Sequence, residues 1–203
     1  MSEIMRRLCA AVIATSAIAA FTVGCGSDVE PKAIAESSSV VTETTIPTTS
    51  KINGQEGVDD GGDVDIDVAI GDCVELSGTA HDANIENAVC GSMESNYKVV
   101  SKAPTSDDCA SDVDSAYYET FAGDEQGAVC LDVDWVVGGC IDMGTDSSDD
   151  QPVRIDCSSS GGTNPVRVIE ILQNSSSYTD CGGEADSGLE YPERNFTVCI
   201  AEL

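Results

Sequence analysis

The chain has 203 residues, ten cysteines and a formal net charge of −28, from 37 acidic against nine basic side chains. A surface this negative argues against nucleic acid and anionic lipid headgroups as partners of the bulk of the molecule. The length accommodates one domain of ordinary size with extras, the cysteine content is high for a cytosolic protein, and nine aromatic residues leave the core with little ring area.

Arg6 and Arg7 precede an apolar run over residues 8–23, which closes on Gly24-Cys25. A short positive segment, about 15 apolar residues and a small-residue exit make a secretory signal over residues 1–24 rather than a membrane span. The ending Thr22-Val23-Gly24-Cys25 resembles a bacterial lipobox. That resemblance implies a diacylglyceryl (palmitate-type) group on Cys25, which becomes the mature N-terminus. Ordinary cleavage after Ala17-Ile18-Ala19 is the alternative. Several acyl chains anchor stably where a single one is marginal.

Residues 25–69 read as a flexible linker. Beyond Cys25 the segment has no aromatic residue or cysteine, is rich in Ser and Thr, and ends in the acidic stretch Asp59-Asp60-Gly61-Gly62-Asp63. Such a composition does not bury enough apolar surface to offset chain entropy, and as a coil it spans about 35–40 Å. Asp63, Asp65 and Asp67 invite a calcium reading. However, the EF-hand positions for Gly and Glu hold Val68 and Val74, so a solvated charge run is the plainer account.

Residues 70–203 hold eight cysteines in two sets of four: Cys73, Cys90, Cys109 and Cys130, then Cys140, Cys157, Cys181 and Cys199. The first interval is C-x16-C in both sets. The flanks agree too. Gly71-Asp72-Cys73-Val74 aligns with Gly138-Gly139-Cys140-Ile141, and Ala128-Val129-Cys130-Leu131 with Thr197-Val198-Cys199-Ile200. An internal duplication is expected, with units 70–137 and 138–203.

Each unit reads as a strand around its first cysteine and another around its second. A third strand covers 97–102 or 166–172, and a last one carries the fourth cysteine, strongest over 129–137. Val113, Ala116 and Tyr117 stand at helical spacing, so a short helix is predicted over 111–120, capped by Ser106 or Ser111. The matching stretch 182–195, with Gly182, Gly183, Gly188 and Pro192, reads as loop with at most one helical turn. The expected class is therefore α+β and β-rich, in two tandem four-cysteine pseudo-repeats.

No C-x-x-C pair and no zinc-type spacing occurs, so structural disulfides are expected. Eight cysteines allow 105 connectivities. The duplication favours pairing within each set, which leaves three choices per set. First-to-second and third-to-fourth is the expectation, closing loops worth about 3 kcal/mol each.

The run Val68-Ala69-Ile70-Gly71-Asp72-Cys73-Val74, then Val89-Cys90-Gly91-Ser92 and Asn96-Tyr97-Lys98-Val99-Val100, resembles LppU-like lipoproteins of mycobacteria and related actinobacteria. So do the stretch from Cys109 to Tyr118 and Val129-Cys130-Leu131-Asp132-Val133-Asp134-Trp135. The G-D-C and V-x-C-S pattern is also similar to septum-formation-type extracellular domains, although the His that often follows there is absent after Cys90 and Cys157. The LppU-like resemblance implies an exported lipoprotein without established enzymatic activity, and it supplies no catalytic residue.

Candidates for chemistry are few. His81, the sole histidine, stands beside Asp82 in a polar turn and no G-x-S-x-G elbow accompanies it, so it reads as a surface residue. Asp132 and Asp134 share one face of a strand and form a possible glycosidase-like pair, or the charged blunting of an edge strand. Lys98 and Arg167 hold equivalent third-strand positions and are expected to pair with acids. Trp135 reads as core. No cofactor and no catalytic or metal-ligating residue is expected. The expected function is a lipid-anchored, non-catalytic binding or accessory module on the outer face of the cytoplasmic membrane. Its partner would be another envelope protein or a cell-wall component. An envelope hydrolase using Asp132 or Asp134 and a calcium-dependent interaction module are the alternatives.

Overall fold

The structure, a computed structural model, describes residues 51–145, 150–159 and 161–203. The signal segment, Cys25 and the linker up to residue 50 lie outside the described residues.

Ten strands form two antiparallel five-stranded sheets. The first holds β1 (Cys73–Thr79), β2 (Asp82–Ala88), β3 (Tyr97–Ala103), β4 (Ser115–Phe121) and β5 (Asp124–Val133) in the order β2-β1-β3-β5-β4. The second holds β6 (Cys140–Asp142), β7 (Val153–Ile155), β8 (Pro165–Gln173), β9 (Ser187–Tyr191) and β10 (Phe196–Glu202) in the order β7-β6-β8-β10-β9. The two orders correspond strand for strand. Helix among the described residues is confined to two 3-10 turns, Ser106–Asp108 and Tyr178–Asp180.

The architecture is thus β-rich, and the predicted helix over 111–120 is corrected: most of it is strand β4. Tyr117, Tyr118, Thr120 and Phe121 favour a pleated surface. The two-residue turn Ala122-Gly123 has φ of +55° and +97°, the positive pair that folds a tight hairpin back onto β5. The non-local ladder with β5 overrides a helical spacing carried by only three side chains. The stretch 182–195 likewise contains a strand, β9. Gly188 sits in it because a Cβ there would lie 3.3 Å from Cys181 Sγ and 3.0 Å from the Val198 carbonyl, where the disulfide and the 3-10 turn press on the strand.

Four disulfides tie these elements: Cys73–Cys90, Cys109–Cys130, Cys140–Cys157 and Cys181–Cys199. Two join the first strand of a sheet to the loop that follows its neighbour, and two pin a 3-10 turn to the strand bearing the fourth cysteine. The shared core lies between the sheets. Val74, Val99, Leu131 and Trp135 enter it from the first half, and Val166, Val168, Phe196 and Val198 from the second. Alternation along β5 sends Val129, Leu131 and Val133 into this core and turns Cys130 to a smaller cluster with Val100 and Ala103 on the other side.

The linker boundary at residue 69 is also corrected. Residues 51–69 are a strap laid on the first sheet, with Ile52, Gln55 and Val68 buried and Val64 and Ile66 packed on the core. The bulge in β3 explains where the strap docks. It breaks the register between Val99 and Ser101, and the Val100 carbonyl accepts from Gly57 N at 2.7 Å instead. Lys102 N then donates to Val58 O, and Asp60 N to Lys102 O, extending the contact. Polar composition concealed a segment that satisfies its backbone against another strand.

The strap crosses β5 so closely that a Cβ on Gly127 would stand 2.3 Å from Asp63 N and 2.7 Å from the Gly62 carbonyl carbon. Gly127→Ala is therefore expected to cost about 1–3 kcal/mol in denaturant unfolding. It should also speed proteolysis within 51–69. Equal stability of the variant would show that the strap does not bear on the sheet.

Candidate functional site

Two assemblies of polar side chains are present: a buried joint between the sheets and an open groove at the end of the first sheet. They divide the sequence candidates between them.

The joint is built on Asp132 and Asp134. The edge-strand reading of this pair is corrected, because β5 lies between β3 and β4 and both aspartates are fully buried. Each meets an arginine from the second sheet's half of the chain. Arg194, in the β9–β10 turn, donates from Nη1 to Asp132 Oδ2 at 2.6 Å, from Nε to Asp112 Oδ1 at 2.7 Å and from Nη2 to the Asp112 carbonyl at 2.6 Å. Its guanidinium lies 5.1 Å from the centre of the Tyr191 ring, which is itself stacked on Phe196. Arg154, on β7, pairs with Asp134 at 3.2 Å, and Asp134 also accepts from Gly91 N and the Ser95 hydroxyl at 2.6 Å each. Gln55 of the strap donates to Asp132 at 3.0 Å, and Lys98, also buried, binds Gln55 and Glu56.

Burial pushes the Asp132 pKa up, while the hydrogen bond and charge of Arg194 and the Gln55 amide pull it back. Burial opposes the charge on Arg194, but its bonds to Asp132 and Asp112 outweigh that and raise its pKa. Beside them, Trp135 Nε1 donates to the Tyr191 hydroxyl at 2.9 Å, and that hydroxyl donates to Asp114 at 2.8 Å. Asp114 as a residue is exposed, yet its carboxylate also accepts from buried Val133 N. Burial of the carboxylate and then the charge of Asp132 push its pKa up to about 7.

The carboxylates of the joint face cations, hydroxyls and amides of the protein rather than solvent, while Asp132 Oδ1 and Arg154 Nε and Nη1 are buried without a hydrogen-bond partner among the described residues. Three of the five basic residues after position 70, Lys98, Arg154 and Arg194, form ion pairs in or beside it.

The groove arises from curvature. Strands β1 and β2 end one side of the sheet order and β4 ends the other, yet all three line one concavity of about 580 Å³. The sheet is therefore curled until its opposite ends face each other. The β1–β2 hairpin supplies Leu76, Ser77, Thr79, His81 and Asp82. Strand β4 supplies Ser115, Tyr117, Tyr118 and Thr120. Gln151, from the loop before β7, completes the lining, and its Oε1 accepts from the Tyr97 hydroxyl at 2.9 Å. The strap spans the other part of the gap. Asp65 N donates to both Glu119 oxygens at 3.0 and 3.1 Å, and Asn87 donates to the Asp67 carbonyl.

His81, read from sequence as an isolated surface residue, thus stands exposed in the hairpin turn on the groove's rim. Tyr117, Tyr118 and Gln151 are not among the site candidates read from the sequence, which places Tyr117 and Tyr118 in a helix. Only the Tyr-Tyr pair carried a signal, and the helical reading of 111–120 hid it. Arg167 occupies the place on β8, opposite Cys140, that Lys98 occupies on β3, opposite Cys73. Among the described residues, no three His, Cys, Asp or Glu side chains converge as a metal site requires. The acidic run from Asp63 to Asp67 instead belongs to the strap.

No protein-family model, no curated protein and no solved structure matches the chain.

Proposed function

We propose that the chain is an exported lipoprotein, acylated at Cys25 and held on the outer face of the cytoplasmic membrane, whose disulfide-stapled body is a non-catalytic binding module of the cell envelope. The observation that carries this reading is the groove: a solvent-open concavity of ligand size on a body whose buried charges are paired internally. The export address and lipobox in the sequence supply the location, and the segment between Cys25 and the strap supplies reach. Against the hydrolase reading stand Asp132 and Asp134, each paired with an arginine and fully buried.

The body is further read as an internal duplication of units 70–137 and 138–203. Matching strand orders support this. So do the paired registers of Cys73 with Lys98 and Cys140 with Arg167, and disulfides of equal span in Cys73–Cys90 and Cys140–Cys157. The LppU-like resemblance agrees with the whole reading.

Two measurements test it. In an actinobacterial host, the full chain is expected to incorporate labelled palmitate and to fractionate with membranes, and Cys25→Ala to abolish both. The immobilised full chain is expected to retain an envelope component that the groove variant Ala83→Trp does not. Retention unaltered by that substitution would remove the groove from the proposal.

A further inference from the structure

We propose that the groove binds a neutral oligosaccharide; this rests on reading the chain as a binding module and names the class of its ligand.

The first observation is chemical. Six hydroxyl-bearing residues line the concavity, Ser77, Thr79, Ser115, Tyr117, Tyr118 and Thr120, of which Tyr117 packs on the core and donates its hydroxyl to Glu119 Oε1 at 3.0 Å. A hydroxyl donates and accepts, as does every hydroxyl of a sugar, so those open to the groove match a sugar without fixed polarity. Gln151 adds an amide whose oxygen is held by Tyr97, and Asp82 and His81 add an acceptor and an imidazole at the rim. Tyr118 is 45% exposed, and Phe121, three residues further along β4, is 74% exposed. An aromatic ring left open beside a row of hydroxyls offers an apolar face for the C–H side of a pyranose while its neighbours take the equatorial groups.

The second observation is charge. Among the described residues Asp82 is the one acid in the lining and no Lys or Arg is present there, on a chain carrying −28 overall. The field of the molecule repels an anionic polymer, and the groove offers a cation little to pair with. A neutral ligand remains.

The third observation is independent of the lining. The β1–β2 hairpin runs for seven paired residues, whereas the corresponding β6–β7 hairpin runs for three among the described residues. The distal part of β1–β2 adds nothing to the core: Gly78 through Asn84 are all exposed. Backbone ordering costs free energy, so an arm that buries little and walls a groove is accounted for by what the groove holds.

An extended peptide adding to the edge of β4 fits less well. The strap already meets the far half of that strand at Glu119, which shortens the available edge, and the walls present hydroxyls rather than pockets for alternate side chains.

The test is calorimetric titration of the full, oxidised chain with neutral tri- and tetrasaccharides of hexoses and pentoses, with an oligogalacturonate as the acidic control and with unstructured peptides. Binding of at least one neutral saccharide is expected, with none of the acidic one. Tyr118→Ala should weaken it about tenfold and Ala83→Trp should abolish it, with the melting temperature unchanged in both because the two residues are exposed. Binding of peptide alone, lost in Ala83→Trp, overturns the saccharide and leaves the binding module standing. Saccharide binding indifferent to both variants, or preference for the acidic control, overturns the inference. No ligand of any class, together with envelope retention indifferent to Ala83→Trp, overturns the module reading as well.

Discussion

Replacing Arg194 with alanine is expected to lower the stability of the body by about 3–5 kcal/mol. Its side chain is 10% exposed and serves two carboxylates, Asp132 and Asp112, themselves 0% and 6% exposed. Truncation leaves both without their cation, and a buried charge without a partner costs more than the pair ever contributed. The companion change shows the mechanism: Asp132→Asn in the Arg194→Ala background should recover a large part of the loss, because the stranded charge is removed.

The deficit also has a pH signature. An acid whose folded pKa lies above its unfolded value costs stability as pH rises from the unfolded toward the folded value, and Asp114, pushed up to about 7, does so from about pH 4 to pH 7. Solvent reaching the exposed residue moderates the size of the effect. Arg194 restrains both Asp114 and Asp132. Without it both rise further, so the gap between variant and parent should widen from pH 5 to pH 8. Urea titrations at the two pH values measure it, and a gap that is constant or narrows at pH 8 would place the role of Arg194 in packing alone.

Reduction of the four disulfides is expected to unfold the body outright at ambient temperature. The bonds close loops of 17 to 21 residues, each worth about 3 kcal/mol. Together they rival the whole stability of an ordinary domain, about 5–15 kcal/mol. The core beneath them is thin in rings: Trp135, Tyr191 and Phe196 head the largest fully buried side chains, and most of the rest are valines. Trp135 is the sole tryptophan and is buried, so its emission should shift to the red when a reductant is added to the native chain. Reduced protein that keeps both a blue emission and a strand-type circular dichroism spectrum would show that the hydrophobic core suffices alone.

What could be read from the chain beforehand follows a physical divide. The repeated cysteine spacing favours pairing within each set of four, and the first-to-second and third-to-fourth pairs are the ones the structure contains. Runs such as 97–102 and 129–137 are apolar enough to be strands in almost any setting. The pairing of Lys98 with an acid follows from the scarcity of cations among 37 carboxylates, whereas Arg167, expected to pair likewise, makes no ion pair among the described residues. Three features escaped. Val113, Ala116 and Tyr117 reach helical spacing by coincidence, and only the ladder with β5 decides their fate. The strap is held by backbone hydrogen bonds at a bulge, which composition does not register. The groove depends on how far a sheet curls, so residues about 40 positions apart, His81 and Tyr118, come to one rim without any local mark.

The joint also decides which surfaces accept each other. The first sheet's half of the chain brings Asp112, Asp114, Asp132 and Asp134 to it, and the second brings Arg154, Tyr191 and Arg194. The two halves share a strand order, but they are not interchangeable there. Two copies of the first half set face to face would oppose four carboxylates with four more, and two copies of the second would bring arginine against arginine. Wherever neighbouring chains offer look-alike sheets at high local concentration, this polarity makes the chain's own second half the fitting complement for its first.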